Sequence, residues 1–406
     1  MSGLSRRRWL QALALGAAAP PPRLAGAAPE PERPGSPAAP ETCPETRLAL
    51  HDFEPRSMLR TSESRVESAR FPVIDVHAHL SGEVRRQDGA AEPDVILRGE
   101  PGSLLEAMDR RNVRTIVNLT GGTGDGLRRV LAGFDEAHPG RFLTATVPSY
   151  ELLEEPRYPQ LQADSIQEAA AAGARGLKIL KTLGLYLRDA GGKLVAVDDP
   201  RFDPMWETCG GLGLPVFIHV ADPAAFFLPA DRFNERYEEL AENPDWSFHG
   251  GDFPSREQLL EARNRVVARH PRTRFVGLHV GNNPEDLEWV SGCLDRYPNL
   301  DVEIGARIAE LGRQPRGARR FFDRHRERIL FGSDVVTDEP AAAAERYAAR
   351  WAITFRFLET EDEYFPYWTG RVPSQGRWHI YGLGLSDEIL RSVYHDNAAR
   401  LLGLPG

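Results

Sequence analysis

The sequence predicts an α/β protein, a (β/α)8 TIM barrel with long loop insertions after its fifth and eighth strands. Eight short runs rich in β-branched and apolar residues alternate with eight helical patterns, which is typical of a closed parallel barrel. The length of 406 residues suits one large barrel with insertions, or two medium domains. A doubly wound sheet is the alternative, but no dinucleotide-type glycine fingerprint follows the first predicted strand.

The predicted strands and helices alternate along the chain. Strands are expected at residues 72–76, 114–119, 141–147, 176–180, 215–220, 274–280, 300–304 and 328–331. Helices are expected at residues 103–112, 127–138, 160–172, 204–212, 255–270, 284–297, 314–326 and 386–402. Pro284 is expected in the first turn of the sixth helix, where proline is tolerated, and Ser386 is expected to begin the eighth.

Two connections are much longer than the rest, residues 221–254 after the fifth strand and residues 335–385 after the eighth. Loops of this length on one face of a barrel usually cover a site. The second connection is rich in aromatic residues, among them Trp351, Phe355, Phe357, Tyr364, Phe365, Tyr367, Trp368, Trp378 and Tyr381. They are compatible with a helical flap packed on the barrel and equally with a lid that contacts substrate.

The composition narrows the class of protein. A hydrophobic content of 41% and a charged content of 27% are typical of a globular chain and disfavour fibrous and mostly disordered classes. The formal net charge of -9 argues against nonspecific nucleic-acid binding. Three cysteines without a Cys-x-x-Cys pair indicate neither a disulfide framework nor a cysteine zinc site. A small-molecule substrate is the expected partner, and the sequence leaves a homo-oligomer open.

The N-terminal region, residues 1–27, resembles a twin-arginine export signal. An arginine triplet at residues 6–8 precedes a short apolar run, and small residues at 25–27 suit cleavage. Residues 28–70, rich at first in proline and alanine, are expected to form a linker and lead-in, followed by the barrel domain at residues 71–406. The mature protein is therefore expected to be periplasmic or secreted, with no stable membrane span after cleavage of the signal.

Polar residues interrupt the apolar strands at their carboxyl ends. Asp75, His77 and His79 alternate as the first strand ends, so all three are expected to face the barrel interior. Further polar residues lie in or directly after the fourth, fifth, sixth and eighth strands, namely Lys178, His219, His279 and Asp334. Active sites of such barrels assemble from residues at these strand ends. A bound divalent cation would offset the cost of burying them, and zinc readily takes histidine and carboxylate ligands.

The chain resembles the amidohydrolase superfamily in a set of motifs placed on its first, fourth, fifth, sixth and eighth strands. These are Ile74-Asp75-Val76-His77-Ala78-His79, Gly176-Leu177-Lys178, His219, His279 and Leu330-Phe331-Gly332-Ser333-Asp334. The resemblance covers residues 71–402 and is greatest to the branch of aminocarboxymuconate semialdehyde decarboxylase-like proteins and predicted TIM-barrel metal-dependent hydrolases. It implies that His77, His79 and Asp334 hold one metal ion. It also implies that His219 ligates that ion or a second one, and that His279 completes a second site or acts as an acid or base.

Lys178 bears on the number of metal ions, one or two. Arginine supplies nearly all the basic residues, and the only lysines are Lys178, Lys181 and Lys193. Lys178 could be a structural ion-pair partner, an anchor for a substrate carboxylate, or a neutral amine that takes up carbon dioxide to form a bridging carbamate. The carbamate requires loss of the amine proton, which burial and nearby metal charge favour and which arginine does not allow.

Three further residues are candidates for substrate binding. Glu303 ends the seventh predicted strand and Arg307 follows it, so either could hold a polar substrate, or the two could pair with each other as a structural bridge. Asn118 lies at the carboxyl end of the second predicted strand, ahead of a glycine-rich loop. That loop lacks a Gly-Lys-Ser/Thr ending, which argues against a nucleotide phosphate site.

The favoured function is a metal-dependent hydrolase that uses a metal-activated water on an ester, amide or lactone-type substrate. Asp334 would accept the proton of the attacking water, and His279 would stabilise or protonate the substrate oxygen. One alternative is nonoxidative, metal-dependent decarboxylation of an unsaturated or aromatic acid. Another is a catalytically silent, exported binding protein, which the full set of candidate metal ligands disfavours.

The export signal gives a first prediction. Changing Arg6 and Arg7 together to lysine is expected to leave the protein in the cytoplasm, because the translocase that recognises this signal reads the paired arginines. Immunoblots of cytoplasmic and periplasmic fractions measure the distribution, with Arg23→Lys as the control outside the pair. Normal export and processing of the double variant would show that the twin-arginine interpretation is wrong.

Overall fold

The computed structural model describes residues 48–49, 52–53, 55–85, 93–336, 339–368 and 375–405. The predicted export signal therefore lies outside the described residues, and so does the linker up to residue 47. Within the described chain, every helix is too short or too polar to cross a bilayer.

The strands occur where the sequence predicts them, and the described chain adds one hairpin. They are β1 Val73–Ala78, β2 Ser81–Arg85, β3 Pro93–Leu97, β4 Val113–Asn118, β5 Phe142–Thr144, β6 Leu177–Ile179, β7 Val216–Ile218, β8 Phe275–Gly277, β9 Leu300–Glu303 and β10 Ile329–Leu330. Strands β1 and β4 to β10 are the eight predicted strands. Strands β2 and β3 form an antiparallel hairpin that the sequence did not indicate.

The eight predicted strands are parallel and follow one another around a TIM barrel. The pairings form a three-stranded sheet in the order β1-β4-β5 and a five-stranded sheet in the order β10-β9-β8-β7-β6. Parallel bridges join the neighbouring edges of the two sheets, Thr146 to Leu177 on one side and Ala78 to Val335 on the other. The carboxyl ends of all eight strands consequently meet at one face.

Helices cover the outside and fill the two insertions. They are α1 Pro101–Arg111, α2 Gly124–Leu131, α3 Tyr158–Ala171, α4 Asp203–Leu212, α5 Tyr237–Glu242, α6 Arg256–Arg269, α7 Leu287–Arg296, α8 Ile308–Arg313, α9 Pro315–Arg324, α10 Ala343–Glu359, α11 Asp387–Arg391 and α12 Asn397–Leu402. The π-helical segment Ala132–Glu136 extends α2, and a second, Ser392–Asp396, joins α11 to α12. All eight predicted helices are present. Helices α5, α8 and α10 are additional, and α5 and α10 lie in the two long insertions.

Side-chain caps explain several helix starts. Ser255 and Gln258 form a capping box at α6, and the Ser386 hydroxyl accepts a hydrogen bond from the Ile389 amide at α11, as the sequence predicts. The placement of Pro284 in a first helical turn is wrong. Helix α7 begins only at Leu287, because the Asp286 carboxylate caps it by accepting the Trp289 amide at 3.0 Å.

The barrel strands pack apolar side chains on both of their faces. One buried cluster contains Val117, Leu143, Phe217, Val276 and Leu330, each from a different strand. Lys178 lies in register with Phe217 on the neighbouring strand, so it interrupts this apolar layer with a charged group. The insertion aromatics Trp351, Phe355 and Phe357 are buried in the larger cluster, which favours the packed-flap interpretation for these residues.

Asp135, in the π-helical segment after α2, gives a prediction about stability. One carboxylate oxygen accepts the Thr144 hydroxyl at 2.7 Å, and the other has no hydrogen-bond partner among the described residues. Burial raises the pKa of Asp135 to about 6, against the hydrogen bonds from Thr144. The folded state therefore holds this proton more tightly than the unfolded state. Stability from this group is present below about pH 4 and is lost as the pH rises through about 6.

The Asp135→Asn variant lacks this titration. Relative to the variant, the wild-type free energy of unfolding should fall by about 2 kcal/mol between about pH 4 and pH 7.5. Urea unfolding of both proteins at the two pH values measures the difference, and all other titrations cancel in the comparison. If the difference in unfolding free energy between wild type and variant stays constant with pH, Asp135 does not have a raised pKa in the folded state.

Candidate metal centre

The end of β1 brings two histidines, but not Asp75, to the barrel mouth. The ladder between β1 and β4 is irregular between Asp75 and Ala78, which breaks the strict alternation of side chains. Asp75 instead accepts hydrogen bonds from Trp351 Nε1 at 2.8 Å and from the Ser333 amide at 2.9 Å. Burial raises its pKa to about 6, against these hydrogen bonds. The prediction that all three residues face the interior is therefore wrong for Asp75.

His77 is completely buried and held by a carboxylate. Its Nδ1 lies 3.0 Å from Glu303 Oε1, so Nδ1 carries the proton and Nε2 presents a lone pair. That Nε2 lies 3.1 Å from Asp334 Oδ1 and 3.2 Å from Lys178 Nζ. Burial, reinforced by the charge of Lys178, lowers the pKa of His77 well below its ordinary value. The imidazole is thus neutral, as a metal ligand must be.

Glu303 organises the site from the end of β9. Its side chain is fully buried and accepts the His279 amide at 2.6 Å and the Gly305 amide, in addition to His77. Burial raises the pKa of Glu303, and His279 and the Gly305 amide act against that effect. The carboxylate is packed so tightly that a Cβ on Gly305 would lie 2.6 Å from Oε2, and a Cβ on Gly332 would clash with it as well.

His279 follows β8 in a left-handed backbone conformation, with φ of 57°, and Val280 after it has φ of 56°. Such angles are costly for residues other than glycine, and most of all for a β-branched residue. The His279 Nδ1 donates to the Gly305 carbonyl at 2.8 Å, which leaves Nε2 free as a ligand. Burial, followed by the charge of Arg307, lowers the pKa of His279 well below its ordinary value.

Asp334 is a second acid beside these histidines, and its backbone is also left-handed, with φ of 55°. Its amide donates to the His77 carbonyl at 2.8 Å, which fixes the segment after β10 to β1. The carboxylate Oδ1 lies 3.1 Å from His79 Nε2 as well as from His77 Nε2. Burial would raise the pKa of Asp334, but the surrounding imidazoles hold it well below the ordinary value. About 21% of the side chain remains exposed to the mouth.

The donor atoms of His77, His279 and Asp334 fit a metal ion. One ligand atom from each lies within 4.8 Å of the others. With its proton on Nδ1, His77 turns a lone pair towards the Asp334 oxygen 3.1 Å away, and a cation shared by the two groups would stabilise this arrangement. Two imidazoles and a carboxylate are a set of groups that divalent metal ions bind in proteins.

The remaining predicted ligands lie around this group. His79 contacts Asp334, and Lys178 contacts His77. Burial lowers the pKa of Lys178 to about 8, against the charges of Asp334 and Glu303. The His219 ring packs edge-on against His279, with ring centroids 4.4 Å apart. The structure thus gathers all six sequence-predicted ligands, with His77, His279 and Asp334 forming the compact set among the described residues.

His219 also belongs to a charged network beside the centre. Its Nε2 lies 3.3 Å from Asp222 Oδ1, and Asp222 Oδ2 accepts Lys181 Nζ at 2.6 Å. Burial would raise the pKa of Asp222, but the charge of Lys181 and the contact with His219 hold it below the ordinary value. Asp222 orients His219 much as Glu303 orients His77.

Two of the three substrate-binding candidates have structural contacts instead. Asn118 is buried and ties two loops together, accepting from the Leu80 amide at 3.0 Å and donating to Ser81 Oγ at 2.8 Å. Glu303 binds His77 and so does not pair with Arg307, because its oxygens are already occupied. Arg307 is buried near His279 without a carboxylate partner among the described residues.

Sequence reasoning did not predict the contacts that two aromatic residues on α10 make with the site. The Tyr347 hydroxyl accepts the His79 amide at 3.1 Å and donates to the Val335 carbonyl at 3.0 Å, while Trp351 holds Asp75. Their spacing of four residues places them on one face of a helix. That spacing was the available signal, but the helical flap was expected without bounds, so the two residues could not be placed on one helix face.

Comparison with known families identifies the chain. The amidohydrolase family profile matches residues 74–404, which is most of the sequence. The chain belongs to the amidohydrolase family. Members of this family bind divalent metal ions, and the His77, His279 and Asp334 group could hold one here. No match was found among the curated proteins.

Several solved structures are similar to this amidohydrolase at low sequence identity. An uncharacterized TIM-barrel protein from Bordetella bronchiseptica is 17% identical, with a TM-score of 0.48, over 82% of this chain and 99% of that chain. A 2,6-dihydroxybenzoate decarboxylase from Rhizobium is 16% identical, with a TM-score of 0.49, over 83% and 100%. A probable 2-pyrone-4,6-dicarboxylic acid hydrolase from Acinetobacter baumannii is 13% identical, with a TM-score of 0.42, over 82% and 100%. Identities this low transfer no substrate.

The role of Glu303 can be tested through metal affinity. Glu303→Gln keeps the shape of the side chain but removes the charge that orients His77, so zinc affinity should fall about 10–100-fold. Competition with a chelator of known affinity measures the change. Asp301→Asn is the matched control on the same strand, because its carboxylate binds Arg274 and Arg328 instead. Equal zinc affinity in Glu303→Gln and wild type would contradict the assignment.

Proposed function

We propose that this amidohydrolase is a zinc-dependent hydrolase of ester, amide or lactone-type substrates. The observation that carries the proposal is the position of Asp334. Its carboxylate contacts two candidate metal-binding histidines and is at the same time partly exposed at the barrel mouth. A carboxylate placed in this way can serve both a metal ion and a water molecule that enters from the mouth.

His77, His279 and Asp334 would hold the ion, with His79 and His219 next to them. When bound, the ion lowers the pKa of water and polarises a carbonyl oxygen. Lys178 would contribute positive charge beside His77, or bridge to a second ion if it is carbamylated. The compact three-residue group supports one ion as the minimum.

The residues of the chain would perform the proton transfers. Asp334 is held ionised, so it can accept a proton from the attacking water and return it to the leaving group. His279 has its Nδ1 proton committed to the Gly305 carbonyl, which fixes the ring and directs Nε2 to the reacting oxygen or the ion. His77 and His279 are both buried, so bulk water is excluded from the side of the site that they line.

The cellular location forms part of the proposal. The arginine triplet at residues 6–8 supports export of the folded protein to the periplasm or beyond. Folding before export would allow the metal to be loaded in the cytoplasm. The substrate would then be a small molecule met outside the cytoplasm.

Asp334→Asn separates the two roles of this carboxylate. The amide oxygen can still contact the metal, so zinc affinity should stay within about tenfold of wild type, whereas turnover should fall at least about a hundredfold because the general base is lost. Zinc titration and hydrolysis of a panel of esters, lactones and amides, all at saturating zinc, measure the two quantities. Asp199→Asn is the control, because its carboxylate pairs with Arg201 elsewhere.

Two outcomes would contradict the hydrolase proposal. Near-wild-type turnover in Asp334→Asn would remove the proposed proton shuttle. Release of carbon dioxide from an unsaturated or aromatic acid, with no hydrolysis across the panel, would instead assign the site to nonoxidative decarboxylation.

A further inference from the structure

A cleft of about 250 Å³ lies between helices α2 and α3, away from the candidate metal centre. Its apolar lining comes from Leu127 on α2, from Leu161 and Ala169 on α3, and from Leu152 in the connection before α3. None of the six candidate metal ligands lines it. A dry apolar cavity of about 150 Å³ is enough to hold benzene. The cleft is therefore large enough for a ring that carries a substituent.

A buried hydrogen-bond donor faces the cleft. Gln162 on α3 lines the cleft and is only about 2% exposed. Its Oε1 accepts the Ser149 amide at 3.1 Å and the Tyr158 hydroxyl at 3.3 Å, which fixes the orientation of the side-chain amide. The Nε2 of Gln162 has no hydrogen-bond partner in the described chain. A buried donor without an acceptor costs free energy, which a bound acceptor would recover.

The start of α2 supplies further donors to the same cleft. Thr123 precedes the helix, and its side chain makes no capping hydrogen bond. Gly124 follows with φ of 53°, and a Cβ built on it would meet open space. Both residues line the cleft. Because the first amides of a helix have no partner within the helix, they can donate to a group that enters here.

The charges at the cleft favour a neutral ligand over an anion. Arg128 lines the cleft, but its Nε donates to Asp125 at 3.0 Å. Asp125 lies in the first turn of α2, where its negative charge already complements the helix N-terminus. Glu168 lines the cleft as well. Two carboxylates beside one guanidinium would repel an anion, so an uncharged acceptor suits these donors better.

The cleft meets the barrel at Thr146. The Thr146 hydroxyl donates to the Gly122 carbonyl at 3.0 Å, which ties the loop before α2 to the barrel. The Thr146 carbonyl accepts the Lys178 amide at 2.8 Å. The cleft therefore borders the strand that carries Lys178 without including the side chains of the metal centre.

We propose that the cleft between α2 and α3 is a binding site for a small neutral molecule with a carbonyl oxygen on an apolar body. Gln162 Nε2 would donate to the carbonyl oxygen, while Leu127 and Leu161 would cover the apolar part. This site goes beyond the proposed function, because it needs neither the metal ion nor the groups that transfer protons.

Three fluorinated probes of similar size test the proposal. They are 4-fluoroacetophenone, which carries a neutral carbonyl, 1-fluoro-4-isopropylbenzene, which has nearly the same shape without an acceptor, and 4-fluorobenzoate, which is an anion. Fluorine NMR titrations against the full chain, loaded with zinc, measure the three dissociation constants. Thermal unfolding of each variant confirms that the variant is folded.

The ketone is expected to bind at least about fivefold more tightly than the hydrocarbon, because pairing a buried donor recovers free energy. Gln162→Glu replaces the donor Nε2 with an acceptor oxygen and keeps Oε1, so it should abolish this preference. Ser165→Phe should fill the cleft and weaken ketone binding by a similar factor, while Gln162 is kept. Gln167→Glu is the control, because it makes the same chemical change at an exposed position of α3.

Three outcomes would overturn the proposal. Equal binding of the ketone and the hydrocarbon would show that the carbonyl is not recognised, and no binding of either would show that water alone fills the cleft. Tighter binding of 4-fluorobenzoate than of the ketone would show that the cleft selects anions. Wild-type binding of the ketone in both Gln162→Glu and Ser165→Phe would place the bound molecule elsewhere on the protein.

Discussion

The candidate site depends on one buried carboxylate, that of Glu303. It receives His77 from β1, the amide of His279 from the end of β8 and the amide of Gly305 from its own loop. A single anion therefore fixes the positions of two candidate metal ligands that come from distant parts of the chain. Its burial would be costly alone, and the three donors offset that cost. Replacing the carboxylate with an apolar group would leave donors unsatisfied on three sides at once.

The backbone around this carboxylate is strained in two places where ligands emerge. His279, Val280 and Asp334 all adopt left-handed conformations that glycine would accept without cost. Val280 is fully buried and Asp334 donates its amide to His77, so packing and hydrogen bonding hold these conformations in place. The two turns, after β8 and after β10, each carry a candidate metal ligand. Their strained backbone costs local stability but fixes the direction in which the His279 and Asp334 side chains point.

The sequence was sufficient to predict the barrel and the positions of most site residues. Polar residues that end apolar strands are visible as interruptions of a regular pattern, which is why His77, His279 and Asp334 could be found. The role of Glu303 could not be predicted, because its partner His77 lies 226 residues away in the sequence. The residues close to Glu303 suggested only substrate binding or a bridge to Arg307, and both were plausible. Asp75 was misplaced for a related reason, since the irregular pairing near the end of β1 depends on the neighbouring strand.

Two of the three lysines in the chain lie beside candidate metal ligands. Of the three lysines, Lys178 contacts His77 and Lys181 contacts Asp222, the residue that orients His219. Arginine at either position would bring a wide planar group with five donors into a space bounded by buried ligands. A lysine offers a compact charge instead, and burial lowers the pKa of Lys178 to about 8, so the amine can also become neutral.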